Sequence, residues 1–123
     1  LKSLNDLIQV FSDSKEKKQV RLVCISDTHN GHKKLTQKLV DIYDNGKHKY
    51  IDIFIHSGDM TDRGTLKELN NISQWFGELP FKYKFCISGN MDGIGLDKNS
   101  MYSGGNNNFI KGKSVFKNNI IYL

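Results

Sequence analysis

Histidine, cysteine and proline are all scarce in this chain, and each scarcity narrows what it can be. The 123 residues include four histidines, two cysteines and one proline. Cys24 and Cys86 each fall in a predicted buried strand, where thiols are more often reduced core residues than a bridge, so a cytoplasmic location is expected. A disulfide between them stays open on sequence grounds. No apolar stretch approaches the ~20 residues that span a bilayer, and the N-terminus has no continuous apolar core of a secretory signal. No membrane partner is therefore expected. Aromatic and basic residues do not interleave as they do in single-strand nucleic-acid binders. The formal charge of +5 favours anionic ligands in general, but nucleic acid is disfavoured. The chain opens on Leu1 rather than Met, as a fragment or trimmed form would.

What is present suits one soluble domain. The length fits a single unit, and 37% hydrophobic with 25% charged residues is a globular composition. Residues 1–18 read as an N-terminal helix, with Leu4, Leu7, Ile8 and Phe11 at helical spacing, followed by a charged linker over 12–18. Val20 to Ser26 is nearly all apolar, as a strand buried on both faces would be. Leu35, Leu39, Ile42 and Tyr43 mark an amphipathic helix stopped by Asn45 and Gly46. Tyr50 to His56 is a second strand. Thr65 and Glu68 form a capping box, and Leu66, Leu69, Ile72, Trp75, Phe76 and Leu79 supply the buried face of the helix it starts. The single proline, Pro80, lies just past the end of that helix. Tyr83 to Ser88 is a third strand. Residues 97–119 are rich in Gly, Asn and Lys and read as a mobile loop with a short hairpin around Ser114, Val115 and Phe116. Ile120 to Leu123 looks like the start of a fourth strand. The order β-α-β-α-β implies an α/β fold with parallel strands.

Three of these strands end alike. Ser26 runs into Asp27-Thr28-His29, Ser57-Gly58 into Asp59, and Ser88-Gly89 into Asn90-Met91-Asp92. The three polar endpoints are 32 and 31 residues apart, close to one β-α-β repeat of ~30 residues. Parallel strands bring Asp27, Asp59 and Asn90 to one edge of the sheet, where open α/β folds bind ligands. Singly, each has a commoner role: Asp27 as a helix cap, Asp59 as a turn former, Asn90 as a left-handed turn residue, His29 as a surface histidine. Their coincidence at equivalent strand ends favours a site. Mixed oxygen and nitrogen donors suit Zn, Mn or Fe better than an all-oxygen cation. Two such ions held ~3.5–4 Å apart would clamp a phosphoryl group and activate water near neutral pH.

These residues also carry a resemblance. Asp27-x-His29, Gly58-Asp59-x-x-Asp62-Arg63-Gly64 and Gly89-Asn90-x-Asp92 resemble the first three signature blocks of the calcineurin-like metallophosphoesterases. The surrounding residues, including Trp75-Phe76-Gly77-Glu78-Leu79-Pro80, are similar to a small eukaryotic branch that resembles cyclic-nucleotide phosphodiesterases. The resemblance runs from about Val20 to Asp92. It implies a hydrolase of phosphate monoesters or diesters and the N-terminal half of a β-sandwich flanked by helices, so that residues 19–123 would be a partial domain. It implies two divalent ions (Mn, Zn or Fe): Asp27 and His29 on one, Asp59 shared, and Asn90 on the second. Asn90 and Arg63 would contact the substrate phosphate.

Two departures stand against that pattern. The family's third block usually carries a histidine, the proposed general acid, where this chain has Met91, which cannot transfer a proton. The family also completes its metal sites with histidines from later blocks, and here none lies beyond His56. His32 sits on the loop of His29 and could approach a metal. His56 would pack or hydrogen-bond within its strand, and His48 would be exposed. A non-catalytic scaffold that binds a protein partner on the same fold is the alternative.

Overall fold

The computed structural model describes residues 19–92 and 120–123, together with Asn5, Gln9, Val115 and Phe116. Strand β1 (Gln19–Ile25) leads through a 3-10 turn (His32–Leu35) into helix α1 (Thr36–Gly46). Strand β2 (Tyr50–His56), helix α2 (Leu66–Glu78), strand β3 (Tyr83–Cys86) and strand β4 (Ile120–Tyr122) follow. The strands lie in the order β1-β2-β3-β4, and every pairing is parallel. The expected α/β architecture is the observed one. The third strand stops two residues early, at Cys86, and the chain near the C-terminus is a true fourth strand beside β3.

Parallel register sorts the side chains into two faces. Val23, Phe54, Lys84 and Ile120 share one face with Ile25, His56, Cys86 and Tyr122. Both helices cover that face. Leu39 from α1 and Leu69, Ile72, Trp75 and Phe76 from α2 pack with Phe54, Phe81 and Cys86 into the main core. Phe54 stacks on Phe81 with ring centroids 5.0 Å apart. Residue types at i, i+3 and i+4 on each helix are what place these side chains inward.

The other face carries Leu22, Ile53 and Tyr83 in one row and Cys24, Ile55, Phe85 and Ile121 in the next. Ile53, Tyr83 and Phe85 are buried there, but β1 at the sheet edge is not: Val20 is 50% exposed and Leu22 59%. β1 is thus not buried on both faces as its apolar run implied, and Cys24 is an exposed free thiol rather than a core residue. The reason is position. An edge strand receives neighbours on one side only, and its composition does not record which side is covered.

Local signals explain the helix ends. Thr65 caps α2 by accepting from the Glu68 N–H at 3.2 Å, and Glu68 accepts from the Thr65 N–H at 3.1 Å, the reciprocal pair expected of the capping box. Leu66, expected on the buried face of α2, is 51% exposed because it lies in the first turn, beyond the edge of the sheet-facing stripe. The far end of α2 is closed by Lys84, whose Nζ donates to the Gly77 carbonyl at 2.9 Å. On β1, Arg21 holds Asp52 through two bonds of 2.6 and 2.9 Å and donates to the Ile42 carbonyl, tying α1 to the sheet.

Asn5 and Gln9 are helical and exposed; the rest of the expected N-terminal helix and linker lies outside the described residues. So does most of the loop expected over 97–119. Of its expected hairpin, Val115 is helical and Phe116 lies in a bend, and both are buried. Phe116 stacks on Tyr122 at 5.9 Å.

Candidate metal centre

Beyond the strand ends the chain does not splay apart. The ladder between β1 and β2 continues into their loops: Ser57 N–H donates to the Ile25 carbonyl at 2.9 Å and Asp27 N–H to the Gly58 carbonyl at 2.9 Å. His29 and Asn30 N–H groups then donate to the Asp59 and Met60 carbonyls at 3.1 and 3.0 Å. To keep this pairing while turning, the backbone enters the left-handed region at Asp27 (φ 54°), His29 (42°), Asn30 (64°) and Asp59 (52°). Such conformations cost non-glycine residues ~1–2 kcal/mol each and persist where surrounding bonds enforce them. Gly58, at φ 111°, packs its α-carbon against Gly89, where a side chain would collide with the backbone at 2.8 Å. Gly89 in turn leaves room for the Asp59 carboxylate.

The result is a cluster. Donor atoms of Asp27, His29 and Asp59 all lie within 4.8 Å of one another. Two ligands on one cation with bonds of ~2.1 Å are at most ~4.2 Å apart, so small side-chain rotations bring this set into range. His29 is already oriented for ligation. Its Nδ1 faces the Thr61 carbonyl at 3.2 Å, which places the proton there and leaves Nε2 as a lone-pair donor, 3.9 Å from Asp27 Oδ1. Asp59 Oδ1 accepts from the Met91 N–H at 3.0 Å. With its NH2 group turned toward Asp59, Asn90 donates to both carboxylate oxygens at 3.2 Å. A half-turn of the same amide presents its carbonyl oxygen instead. Asp27, with its side chain 63% exposed, makes the group open to solvent on one side. The nitrogen-and-oxygen donor set and its convergence fit a divalent transition metal.

Comparison with known sequences shows the family of the chain. The profile of the calcineurin-like phosphoesterase family matches residues 20–122. The chain belongs to that family. Members of the family are metal-dependent phosphoesterases, and Asp27, His29 and Asp59 form a group that could hold a metal ion. Metallophosphoesterase domain-containing protein 1 of Homo sapiens is 36% identical over 70 residues, 57% of this chain and 18% of its own length. A UPF0046 protein of Caenorhabditis elegans is 43% identical over 72 residues, 58% of this chain and 22% of its own. A protein named probable rhamnogalacturonate lyase C, from Emericella nidulans, is 39% identical over 80 residues, 65% of this chain but 6% of that protein. The match thus spans less than a quarter of each of these curated relatives.

Within this calcineurin-like domain the remaining residues sort by position. Arg63 sits on the exposed turn before α2; its backbone N–H donates to Glu68 at 3.3 Å. Met91 meets Asp59 through its backbone N–H, which donates to Oδ1 at 3.0 Å. His32 does not join the cluster: it is 2% exposed, 2.9 Å from Asn71 Oδ1 through Nε2, and its ring lies tilted against Trp75 with centroids 5.0 Å apart. His56 is fully buried. Its Nδ1 accepts from the Gly58 N–H at 3.2 Å, so Nε2 carries the proton and faces Thr28 Oγ1 at 2.9 Å. Burial, opposed by the charges of Asp27 and Asp59, pulls the His56 imidazole down to about 4. His48 is exposed, as expected.

Asp92 closes the third block, and its sequence pattern assigns it no role. It is completely buried and accepts four bonds. Oδ1 takes the Thr61 N–H (3.0 Å) and hydroxyl (2.9 Å); Oδ2 takes the N–H groups of Met60 (3.3 Å) and Gly89 (2.9 Å). Burial pushes its carboxyl above the ordinary value, and these donors oppose that. Asp92 is the knot joining the loop after β2 to the loop after β3. A carboxylate so soon after Asn90 was the available signal.

Proposed function

We propose that this chain carries a divalent-metal site that hydrolyses a phosphate monoester or diester, with Asp27, His29, Asp59 and Asn90 as ligands. The single observation that supports this reading best is the convergence of Asp27, His29 and Asp59 donor atoms within 4.8 Å at an open strand-end crevice. Metal held there, two ions of Mn, Zn or Fe in our reading, supplies Lewis-acid polarisation of the phosphoryl oxygen and a water activated near neutral pH. The protein's own part is positional. The Thr61 carbonyl fixes the tautomer and ring plane of His29. The Met91 N–H holds the Asp59 carboxylate in place for a shared-ligand role. Asn90 and the exposed Arg63 are the groups we assign to the substrate phosphate, Arg63 because its planar fork suits two phosphate oxygens. Met91 offers no proton to a leaving group, so esters of acidic alcohols and phenols, phosphodiesters among them, are the favoured substrates. No membrane or nucleic-acid partner is needed. Free Cys24 and Cys86 suit a reducing, cytoplasmic setting.

The test is direct. The full-length protein loaded with Mn²⁺ should hydrolyse bis(4-nitrophenyl) phosphate, and Asp59→Asn should lower kcat at least ~10²-fold. Equal turnover by the two would refute the reading. Met91 also favours a second one, a non-catalytic scaffold that binds a protein partner. Negligible bound metal by elemental analysis, together with saturable binding of a protein partner, would support the scaffold instead.

A further inference from the structure

A second concavity adjoins the metal-binding group. Asn30, His32, Lys33, Lys67, Glu68 and Asn71 line a cleft of about 410 Å³ between the turn that follows β1 and the start of α2. Asn30 links the two places. Its amide donates to Asp62 Oδ2 at 3.1 Å and to Glu68 Oε2 at 2.7 Å, while Asp62 Oδ1 lies 3.7 Å from Nδ1 of His29.

The cleft is built for negative charge. Glu68 is the one acid among its lining residues, and its carboxylate is already engaged by Asn30, by the Thr65 N–H and hydroxyl, and by the N–H groups of Asp62 and Arg63. Burial raises the Glu68 carboxyl, but these donors outweigh it and hold the group down at about 2, so both its oxygens are already hydrogen-bonded within the protein. Lys33 and Lys67 are exposed, and neither has an acidic partner among the described residues.

The inner wall adds an oriented donor. His32 Nε2 lies 2.9 Å from Asn71 Oδ1, so the Asn71 oxygen is taken and its NH2 group is left for a ligand. With Nε2 donating to Asn71, the buried His32 ring serves to orient that amide and takes no part in binding the anion itself.

We propose that this cleft is an anion-binding subsite, formed by Lys33, Lys67 and Asn71, for the end of the substrate that is not transferred. The substrate class is then an organic phosphate ester bearing a second acidic group, a phosphate or carboxylate, on the far side of the scissile bond. The assignment of that anion to a substrate rests on the phosphoesterase reading; the binding chemistry does not.

Trp75 is the sole tryptophan and lies 5.0 Å from the His32 ring, so its fluorescence reports on the cleft. Inorganic pyrophosphate titrated into metal-free protein should give a saturable change in Trp75 emission. The double variant Lys33→Ala/Lys67→Ala should bind at least ~10-fold more weakly, with an unchanged melting curve showing that it folds. No saturable change in the wild type, or equal affinity in the double variant, overturns the proposal. Hydrolysis by the Mn²⁺-loaded wild type is scored separately. Binding without hydrolysis keeps the subsite and removes the hydrolase reading; hydrolysis without binding does the reverse.

Discussion

Asp27 holds a left-handed backbone at φ 54°, with its side chain 63% exposed and its Oδ1 3.9 Å from His29 Nε2. Nothing in packing asks for an aspartate there. The strain is tolerated because the Asp27 N–H is bonded to the Gly58 carbonyl, which glycine would preserve. Asp27→Gly should therefore leave stability unchanged or raise it by up to ~1 kcal/mol, since glycine enters this region freely. The same variant should bind Mn²⁺ at least ~10-fold more weakly by calorimetric titration. A substantial loss of stability would show that Asp27 is a structural residue and not a ligand. The sequence named Asp27, His29 and Asp59 as one group. It did not contain the backbone angles that aim them, because those follow from the ladder between two loops 32 residues apart.

At the level of elements, the loops after β2 and β3 are held together by Asp92. Asparagine in its place could accept at one atom only, and its NH2 group would face a pair of donors, either Thr61 or Met60 with Gly89. Asp92→Asn should lower the unfolding free energy by about 2–3 kcal/mol, read from the urea midpoint. It should also weaken metal binding, because Met91 and Asn90 would no longer be held against Asp59. A midpoint within error of wild type would rule out the knot. The capping box of α2 was legible from Thr65 and Glu68 because both partners lie within one turn. The role of Asp92 was not, because three of its four donors come from a segment about 30 residues earlier.

For the whole molecule, two buried bases contribute to the pH dependence of the metal-free protein. His56 is pulled from 6.5 to about 4 by burial, and Lys84, 1% exposed, from 10.5 to about 8 by the same cause. Each folded value lies below the unfolded one, so the unfolded chain binds the extra proton within the window. Stability is therefore lost as pH falls from 6.5 toward 4, and again as it falls from 10.5 toward 8. His32, lowered by burial, adds to the acidic loss; Asp92, raised by burial, opposes it, its contribution being present below 3.8 and lost as pH rises through its folded value. Denaturation midpoints measured across pH should fall between 6.5 and 4, by up to ~3 kcal/mol from His56. His56→Gln should flatten most of that slope. An unchanged slope would assign the acid sensitivity elsewhere.

Chain order, helix limits and the chemistry of the strand ends were all set by local sequence. Alternating apolar runs and amphipathic stretches determine β-α-β-α-β, and an acid or amide after each strand determines that the polar groups meet at one sheet edge. Burial was a different matter. β1 reads as a doubly buried strand, yet Leu22 and Cys24 are exposed because β1 lies at the sheet edge and the helices cover the opposite face. His32, a plausible ligand by proximity to His29, is instead drawn under α2 beside Trp75. Residue type sets what a side chain can do. Which neighbours reach it depends on contacts between segments far apart in the chain, and those exist only in the folded structure.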